Sequence, residues 1–284
     1  MINERTKDKI ATVIFWLIGI EIMFILITIL SYIFIRGLTM MTPEFILGMP
    51  NEDWSAGGIL PAIIGTIYIV LIALVFSAPI GIATGIFMAE FMTESRLTRV
   101  IRIAADSLNA VPSIVLGLFG LVLFRYYLKD ITGGETILSA GLTLGFMVLP
   151  MIIRTSEIAL RDVPPAEKLG SYALGATKLQ TIWKISLRRA LPGIITGILL
   201  SFGRAAGETA PIIFLVTLTP TIPISPFDSG NALTTILYFL VSELTPERMK
   251  VANGIALILI LIILISNYLT RLIDSYLTRN LRKK

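Results

Sequence analysis

The residue types with the clearest chemical potential lie at positions 203–211, in the sequence Gly-Arg-Ala-Ala-Gly-Glu-Thr-Ala-Pro. Arg204 and Glu208 are four residues apart, so on a continuous helix their side chains share one face. The arginine guanidinium is a planar fork of N–H donors that matches a tetrahedral oxyanion, and its bonds strengthen where the dielectric constant is low. This spacing indicates a position that can hold an anion.

The surroundings of Arg204 and Glu208 are apolar enough to lie inside a membrane. A charge near the bilayer centre costs about 2.5–3.5 kcal/mol on insertion scales, so such residues face a protein interior or a wet cavity. Gly203 and Gly207 allow close approach of a neighbouring helix, and Pro211 is expected to kink this helix. We therefore predict that the pair borders a pathway. An Arg–Glu pair that only stabilises a helix bundle is the alternative.

Two roles remain open for the Glu208 carboxylate. It can accept the proton of a protonated phosphate oxygen, which a fully deprotonated sulfate lacks. It can equally hold the Arg204 side chain in position. The sequence does not separate these roles.

The composition predicts a membrane domain. Apolar residues make up 55% of the 284 positions and charged residues only 15%, against about 45–50% and about 25% in soluble domains. A span needs about 20 apolar residues, and we expect six spans, with kinks at Pro79 and Pro112. The predicted spans are residues 12–35, 60–88, 108–127, 137–153, 191–216 and 251–272.

Two residue types are missing from the chain, which has no cysteine and no histidine. Disulfides, thiol nucleophiles and histidine-based catalysis are therefore excluded. A zinc site would need carboxylates alone, which zinc sites rarely use. We predict that the chain is not an enzyme and binds no metal.

The basic residues predict the orientation of the chain. With the N-terminus inside, 18 of the 24 Lys and Arg residues fall on cytoplasmic segments and one, Arg204, falls within a span. Such a bias predicts that both termini are cytoplasmic. A nucleic-acid partner would need a soluble basic face, which this pattern does not predict. The basic residues of the outer loops are Arg36, Arg125, Lys129, Arg248 and Lys250.

We divide the chain into three parts. Residues 1–56 form the N-terminal cytoplasmic segment, the first span and an outer loop. Residues 57–273 form the main transmembrane domain, and residues 274–284 form a basic cytoplasmic tail. Within the main domain, residues 164–190 form a long basic inner loop.

The inner loop 164–190 is predicted to fold as a short helix, a glycine turn and a second short helix. Pro164 and Pro165 can start the first helix, and Gly175 allows the turn. Such a protrusion suits docking into a groove of a partner protein. The residues predicted to form the docking surface are Gly170, Ser171, Tyr172, Ala173, Gly175, Ala176 and Lys178.

The inner loop resembles the EAA loop of ABC importer permeases, which couples to ATPase subunits. Gly175, Ile185 and Leu187 fall on the positions of the motif's glycine and of its Ile-x-Leu. Residues 169–171, Leu-Gly-Ser, replace the Glu-Ala-Ala triplet, and Arg188 replaces the motif's proline.

Residues 204–211 resemble the fifth-span motif of PstA-type phosphate permeases. Three further blocks resemble that family in the same order, at residues 57–66, 79–91 and 111–120. The resemblance implies an all-α, six-helix type I ABC importer permease of the MetI-like fold. It extends the predicted substrate path to Thr209 and, at the inner end of the fourth span, to Arg154. A basic membrane anchor is an equally good interpretation of Arg154.

The resemblance also implies the function and the partners. The chain would be one permease subunit of an ATP-driven phosphate importer in a prokaryotic inner membrane, in contact with membrane lipid. Its partners would be a PstC-like second permease, a dimeric PstB-like ATPase and a PstS-like phosphate-binding protein outside. The sequence holds no Gly-Lys-Ser/Thr segment, so Mg-ATP would be bound by the ATPase and no cofactor by this chain.

Other functions remain open at this stage. A permease for sulfate or molybdate would share the same fold. A membrane scaffold without transport activity would not need ATPase subunits. A secondary transporter would need its own coupling-ion site and usually more spans.

Overall fold

A computed structural model describes residues 4–92, 96–243 and 245–282. The described residues form twelve α-helices and three short π-helical segments, at Phe87–Phe91, Leu123–Tyr127 and Ile182–Ser186. The helices are α1 (Glu4–Leu38), α2 (Pro43–Leu47), α3 (Leu60–Ile86), α4 (Arg96–Ala110), α5 (Ser113–Val122), α6 (Lys129–Thr132), α7 (Ile137–Arg161), α8 (Pro165–Ala173), α9 (Lys178–Thr181), α10 (Leu187–Gly207), α11 (Leu233–Ser242) and α12 (Pro246–Arg282).

Five helical segments among the described residues are long and apolar enough to cross a bilayer, and α4 with α5 forms a bent pair that is either one broken span or a re-entrant loop. Five of the six predicted spans therefore correspond to continuous helical segments, and the third corresponds to the bent pair. Pro79 lies inside α3, which continues through it. The five continuous segments are Asp8–Leu38, Leu60–Phe91, Ile137–Arg161, Lys178–Gly207 and Pro246–Ile273.

The third predicted span, residues 108–127, is wrong at its start. The chain bends by 96° between α4 and α5, and Pro112 has an extended backbone (φ −55°, ψ 132°) at the break. A proline cannot donate an N–H to the preceding turn, and it disfavours helical geometry in the residue before it. Pro112 therefore breaks the span completely, where we expected a kink.

The fifth predicted span, residues 191–216, is wrong at its end. Helix α10 stops at Gly207, and Glu208 has an extended backbone (φ −82°, ψ 136°). The ring of a proline clashes with the carbonyl four residues earlier, and for Pro211 that carbonyl belongs to Gly207. Pro211 therefore lies beyond the helix and is not a kink within it.

Helix α7 packs along α3 at the centre of the fold, where glycines allow the two backbones to approach each other. A Cβ added at Gly81 would lie 2.7 Å from the Ile152 Cγ2 atom, and one at Gly145 would lie 2.8 Å from the Phe76 Cδ1 atom. Larger residues at these positions would force the helices apart. Helix α10 packs against both members of this pair, and α12 packs against α10.

The loop between α10 and α11 is held by backbone contacts to the start of α7. The carbonyl of Asp228 accepts the N–H of Ile137 at 3.0 Å, and the carbonyl of Pro226 accepts the N–H of Leu138 at 2.8 Å. The N–H groups of Ser225 and Ile224 donate to the Asp228 carboxylate. These hydrogen bonds keep the pKa of Asp228 below its ordinary value. The loop therefore has a defined path.

Helix α1 stands apart from the packed helices. It meets α12 near Gly37, where an added Cβ would lie 2.6 Å from the Leu257 Cβ atom. None of its most apolar stretch is buried in this chain. Such a surface is suited to lipid or to another subunit. The domain boundaries at 56 and 273 stay a prediction, and residues 283–284 of the predicted basic tail lie outside the described residues.

Candidate functional site

Arg204 and Glu208 meet where α10 ends. Arg204 lies in the last turn of the helix, and Glu208 is the first residue beyond it. The Arg204 Nε atom and the Glu208 Oε1 atom are 3.7 Å apart, within ion-pair range but longer than a hydrogen bond. The predicted pair forms, although the shared helical face from which we predicted it ends at Gly207.

Arg204 has a second polar partner that the sequence did not indicate. Its Nη1 atom donates to the Asn109 Oδ1 atom at 3.3 Å, and Asn109 lies in the last turn of α4. A guanidinium carries five N–H donors, and these described contacts use few of them. The Arg204 side chain is 37% exposed, so donors remain accessible to an anion.

The chain behind the pair is closely packed. The Thr234 hydroxyl of α11 donates to the Glu208 carbonyl at 2.9 Å, and Ala205 and Ala206 are each 2% exposed. The Thr209 carbonyl accepts the N–H groups of Ile212 and Ile213, and these bonds hold the turn after Glu208. Thr209 itself is half-buried beside the pair. The pair is therefore open on one side only.

The backbone from 208 to 216 is not helical, although it follows a helix of membrane-spanning character. Non-helical backbone at membrane depth occurs only where it is buried in protein or lines a water-filled cavity. Helix α5 covers this segment, since a Cβ on Gly117 would lie 2.6 Å from the Ala210 carbonyl oxygen. Discontinuous helices with irregular backbone form the substrate and ion sites of many transporters.

Arg154 belongs to a different cluster from Arg204. Three arginines surround the Glu157 carboxylate, which is 1% exposed: Arg102 Nη2 at 2.7 Å, Arg161 Nε at 2.9 Å and Arg154 Nη1 at 3.3 Å. The Arg154 side chain is 57% exposed. Arg154 is therefore held by its ion pair with Glu157, while part of its side chain stays exposed.

The sequence did not lead us to predict Glu157 as a site residue or Asn109 as a partner of Arg204. The spacing of Arg154, Glu157 and Arg161 at i, i+3 and i+7 on one helix was a usable signal for this cluster. The contact of Arg102 with Glu157 could not be predicted from the sequence, because Arg102 lies on α4, 55 residues earlier. Asn109 is likewise 95 residues from Arg204 in sequence.

The predicted docking loop has the expected helix–turn–helix form. Helix α8 ends before Gly175, whose φ of +81° favours glycine, and Thr177 caps α9 with a capping box. The Ser171 and Thr181 hydroxyls are 2.9 Å apart and join the two short helices. Leu174, at the tip, is 91% exposed.

Other predicted members of this loop have simple environments. Among the described residues, no atom outside the adjoining turns of its own helix lies within 4 Å of a Cβ built on Gly170. The Lys178 Nζ atom lies 4.7 Å from the ring centre of Phe91. Tyr172 is 39% exposed, and Ala173 and Ala176 lie on the two sides of the tip. Their role in docking stays a prediction.

Comparison with known families identifies the group to which the chain is related. Residues 81–283 match the model of the family described as binding-protein-dependent transport system inner membrane component. This is well over half of the chain. The chain belongs to this family.

Relatives that align over nearly the whole chain indicate its type within the family. It is 31% identical to the probable ABC transporter permease protein YqgI of Bacillus subtilis, over 98% of this chain and 99% of that protein. It is 32% identical to the phosphate transport system permease protein PstA 1 of Mycobacterium tuberculosis, over 99% and 92%. The PstA-type resemblance predicted from the sequence is confirmed.

Solved structures of importers share the permease's fold. A chain of the inward-facing MetNI methionine ABC transporter matches with a TM-score of 0.60 at 20% identity, covering 75% of this chain and 94% of that chain. A chain of a bacterial ABC transporter that imports alginate matches with a TM-score of 0.55 at 16% identity, covering 94% and 99%. The predicted all-α, type I importer permease fold is confirmed.

Proposed function

We propose that this ABC importer permease of the PstA-like type carries inorganic phosphate across the membrane. Arg204 at the broken end of α10 carries this proposal, because it places accessible guanidinium donors at membrane depth beside a carboxylate 3.7 Å away. Phosphate transport by its PstA relatives supports this choice of substrate. Thr209 and Arg154 would belong to the same path.

The coupling to ATP forms the second part of the proposal. The ATPase would dock on the tip of the inner loop around Gly175, where Leu174 is almost fully exposed. Its closure would move this loop and switch the path between outward and inward states. The chain would bind no nucleotide, and Mg-ATP would stay on a dimeric PstB-like ATPase.

The remaining partners and the orientation follow from the same family. A PstC-like permease would complete the path, and a PstS-like binding protein would deliver phosphate on the outer side. The basic loop containing Arg154, Lys168 and Arg189 would face the cytoplasm, with both termini on that side. The exposed apolar surface of α1 would contact membrane lipid of the prokaryotic inner membrane.

Uptake by the assembled complex tests the substrate. Purified permease pair, ATPase and binding protein in proteoliposomes should accumulate labelled phosphate in an ATP-dependent manner. Unlabelled phosphate should compete, whereas equal concentrations of sulfate or molybdate should not. Competition by sulfate equal to that by phosphate would instead favour a permease for another oxyanion.

The role of Glu208 can be separated in the same assay. If its carboxylate accepts a proton from phosphate, Glu208→Gln should narrow the preference for phosphate over sulfate. If it only holds Arg204, the substitution should slow both anions equally. The Arg204–Glu208 distance exceeds hydrogen-bond length, while Asn109 is hydrogen-bonded to Arg204. We therefore expect Glu208→Gln to reduce the preference for phosphate over sulfate.

A further inference from the structure

Two buried carboxylates, Glu90 and Glu157, lie outside the Arg204–Glu208 pair, next to the docking loop, and Glu157 also holds Arg154. The side chains of Glu90 and Glu157 are 5% and 1% exposed. A buried charge is costly unless it is paired and hydrogen-bonded. The partners of these carboxylates therefore reveal which elements the charges hold together.

Glu90 joins the docking loop to the membrane helices. Lys168 of α8 donates to the Glu90 Oε1 atom at 2.8 Å and lies 3.4 Å from the Leu160 carbonyl of α7. Glu90 lies in the π-helical segment that ends α3, and the Lys168 side chain is only 19% exposed. A displacement of α8 must therefore move the ends of α3 and α7 with it, or break a shielded ion pair.

The same end of α3 is tied to Glu157. The Met88 carbonyl, two residues before Glu90, accepts an N–H of the Arg161 Nη2 atom at 3.1 Å. The Arg161 Nε atom donates to Glu157 at 2.9 Å. One arginine therefore bonds to α3 and to the buried carboxylate of α7 at once.

Glu157 extends this series of contacts to the anion position. Its Oε1 atom accepts an N–H from Arg102 of α4 at 2.7 Å. Arg102 and Asn109 lie on the same helix, seven residues or about 10 Å apart along its axis. Asn109 accepts the bond from Arg204. The docking loop is thus connected to Arg204 by a series of side-chain contacts and by the helical backbone of α4 between Arg102 and Asn109.

We propose that Glu90 and Glu157 are positioning residues that make α8, α4 and the adjoining ends of α3 and α7 move as one body. ATP-driven displacement of the docking loop then repositions Arg204 through Asn109. This inference rests on the proposed function. Costly buried ion pairs are best attested where they fix the register of elements or a switch, which matches the location of these two.

The first test measures how many phosphate ions are imported per ATP hydrolysed. Glu157→Gln and Glu90→Gln should each lower this ratio about tenfold, in the range of typical coupling energies, while ATP hydrolysis stays within about twofold of wild type. The exchanged pair Glu90→Lys with Lys168→Glu should recover at least half of the ratio. The control Glu135→Gln, which breaks the exposed ion pair with Arg125, should leave the ratio unchanged.

Parallel loss of import and hydrolysis in the Gln variants would overturn the proposal, since an ordinary loss of stability lowers both. An unchanged ratio would overturn it as well.

A second readout does not depend on the substrate. The chain has no cysteine, so spin labels can be placed at Ile103→Cys on α4 and Leu169→Cys on α8, both exposed positions. In the assembled complex the distance between the labels should be the same with and without trapped ATP. In Glu157→Gln it should differ between the two states.

A distance that changes in the wild-type complex, or that behaves identically in the variant, would overturn the proposal. If the complex imported no phosphate, the proposed function would be wrong. The distances between the labels would still show whether α4 and α8 move together.

Discussion

Arg204→Ala is expected to lower the initial rate of phosphate uptake by the assembled complex about 100-fold. The substitution removes the charge-assisted bonds from the guanidinium to the anion, each worth about 1.5–3 kcal/mol, and about 1.4 kcal/mol corresponds to a factor of ten. Two such bonds account for the expected loss. Radiolabelled phosphate uptake into proteoliposomes at matched permease content measures it.

The conservative variant Arg204→Lys separates charge from geometry. A lysine keeps the positive charge but not the planar fork, so uptake should fall about tenfold. The control is Arg125→Ala, which breaks an exposed ion pair with Glu135 and should leave uptake within about twofold, because such pairs contribute little. Wild-type uptake by Arg204→Ala would remove this residue from the substrate path.

Leu174→Asp is expected to abolish capture of the ATPase by the permease and, with it, ATP-driven uptake. The side chain is 91% exposed at the tip of the docking loop, and an apolar anchor at the centre of an interface can be worth about 2 kcal/mol or more. An aspartate there must also lose its water on docking, so we expect a reduction of at least about 30-fold in affinity. Co-purification of the ATPase with tagged permease measures it.

The matched control for this variant is Ile224→Asp, an equally isolated apolar side chain, 84% exposed in the outer loop. It should capture the ATPase as wild type does. Normal ATPase capture by Leu174→Asp would show that the ATPase docks elsewhere.

Much of the architecture was predictable because the bilayer imposes long apolar helices and proline and glycine have strict backbone preferences. Pro211 indicates an interruption near the end of α10, although it does not determine whether the helix kinks or ends, since α3 continues through Pro79. The turn at Gly175 follows from the freedom of glycine at positive φ. Both features depend on residues that are close together in the sequence, so they can be predicted from it.

The contacts that assemble the site were not predictable in this way. Arg204 with Asn109 and Glu157 with Arg102 are joined only by the packing of α4, whose 96° bend from α5 sets where both polar side chains lie. A proline indicates that a helix is interrupted, but it does not fix the direction in which the chain continues. Tertiary packing decides that direction, and with it the partners of the charges.

Access of water and anions to the broken end of α10 tests the central claim most directly. In this chain, which lacks native cysteines, the variant Thr209→Cys should react with a membrane-impermeant anionic thiol reagent from the outside in one nucleotide state and from the inside in another. Phosphate, but not sulfate, should slow the reaction. If the thiol of the Thr209→Cys variant stays unreactive from both sides in every state of an active complex, the segment after Gly207 is sealed and the anion crosses elsewhere.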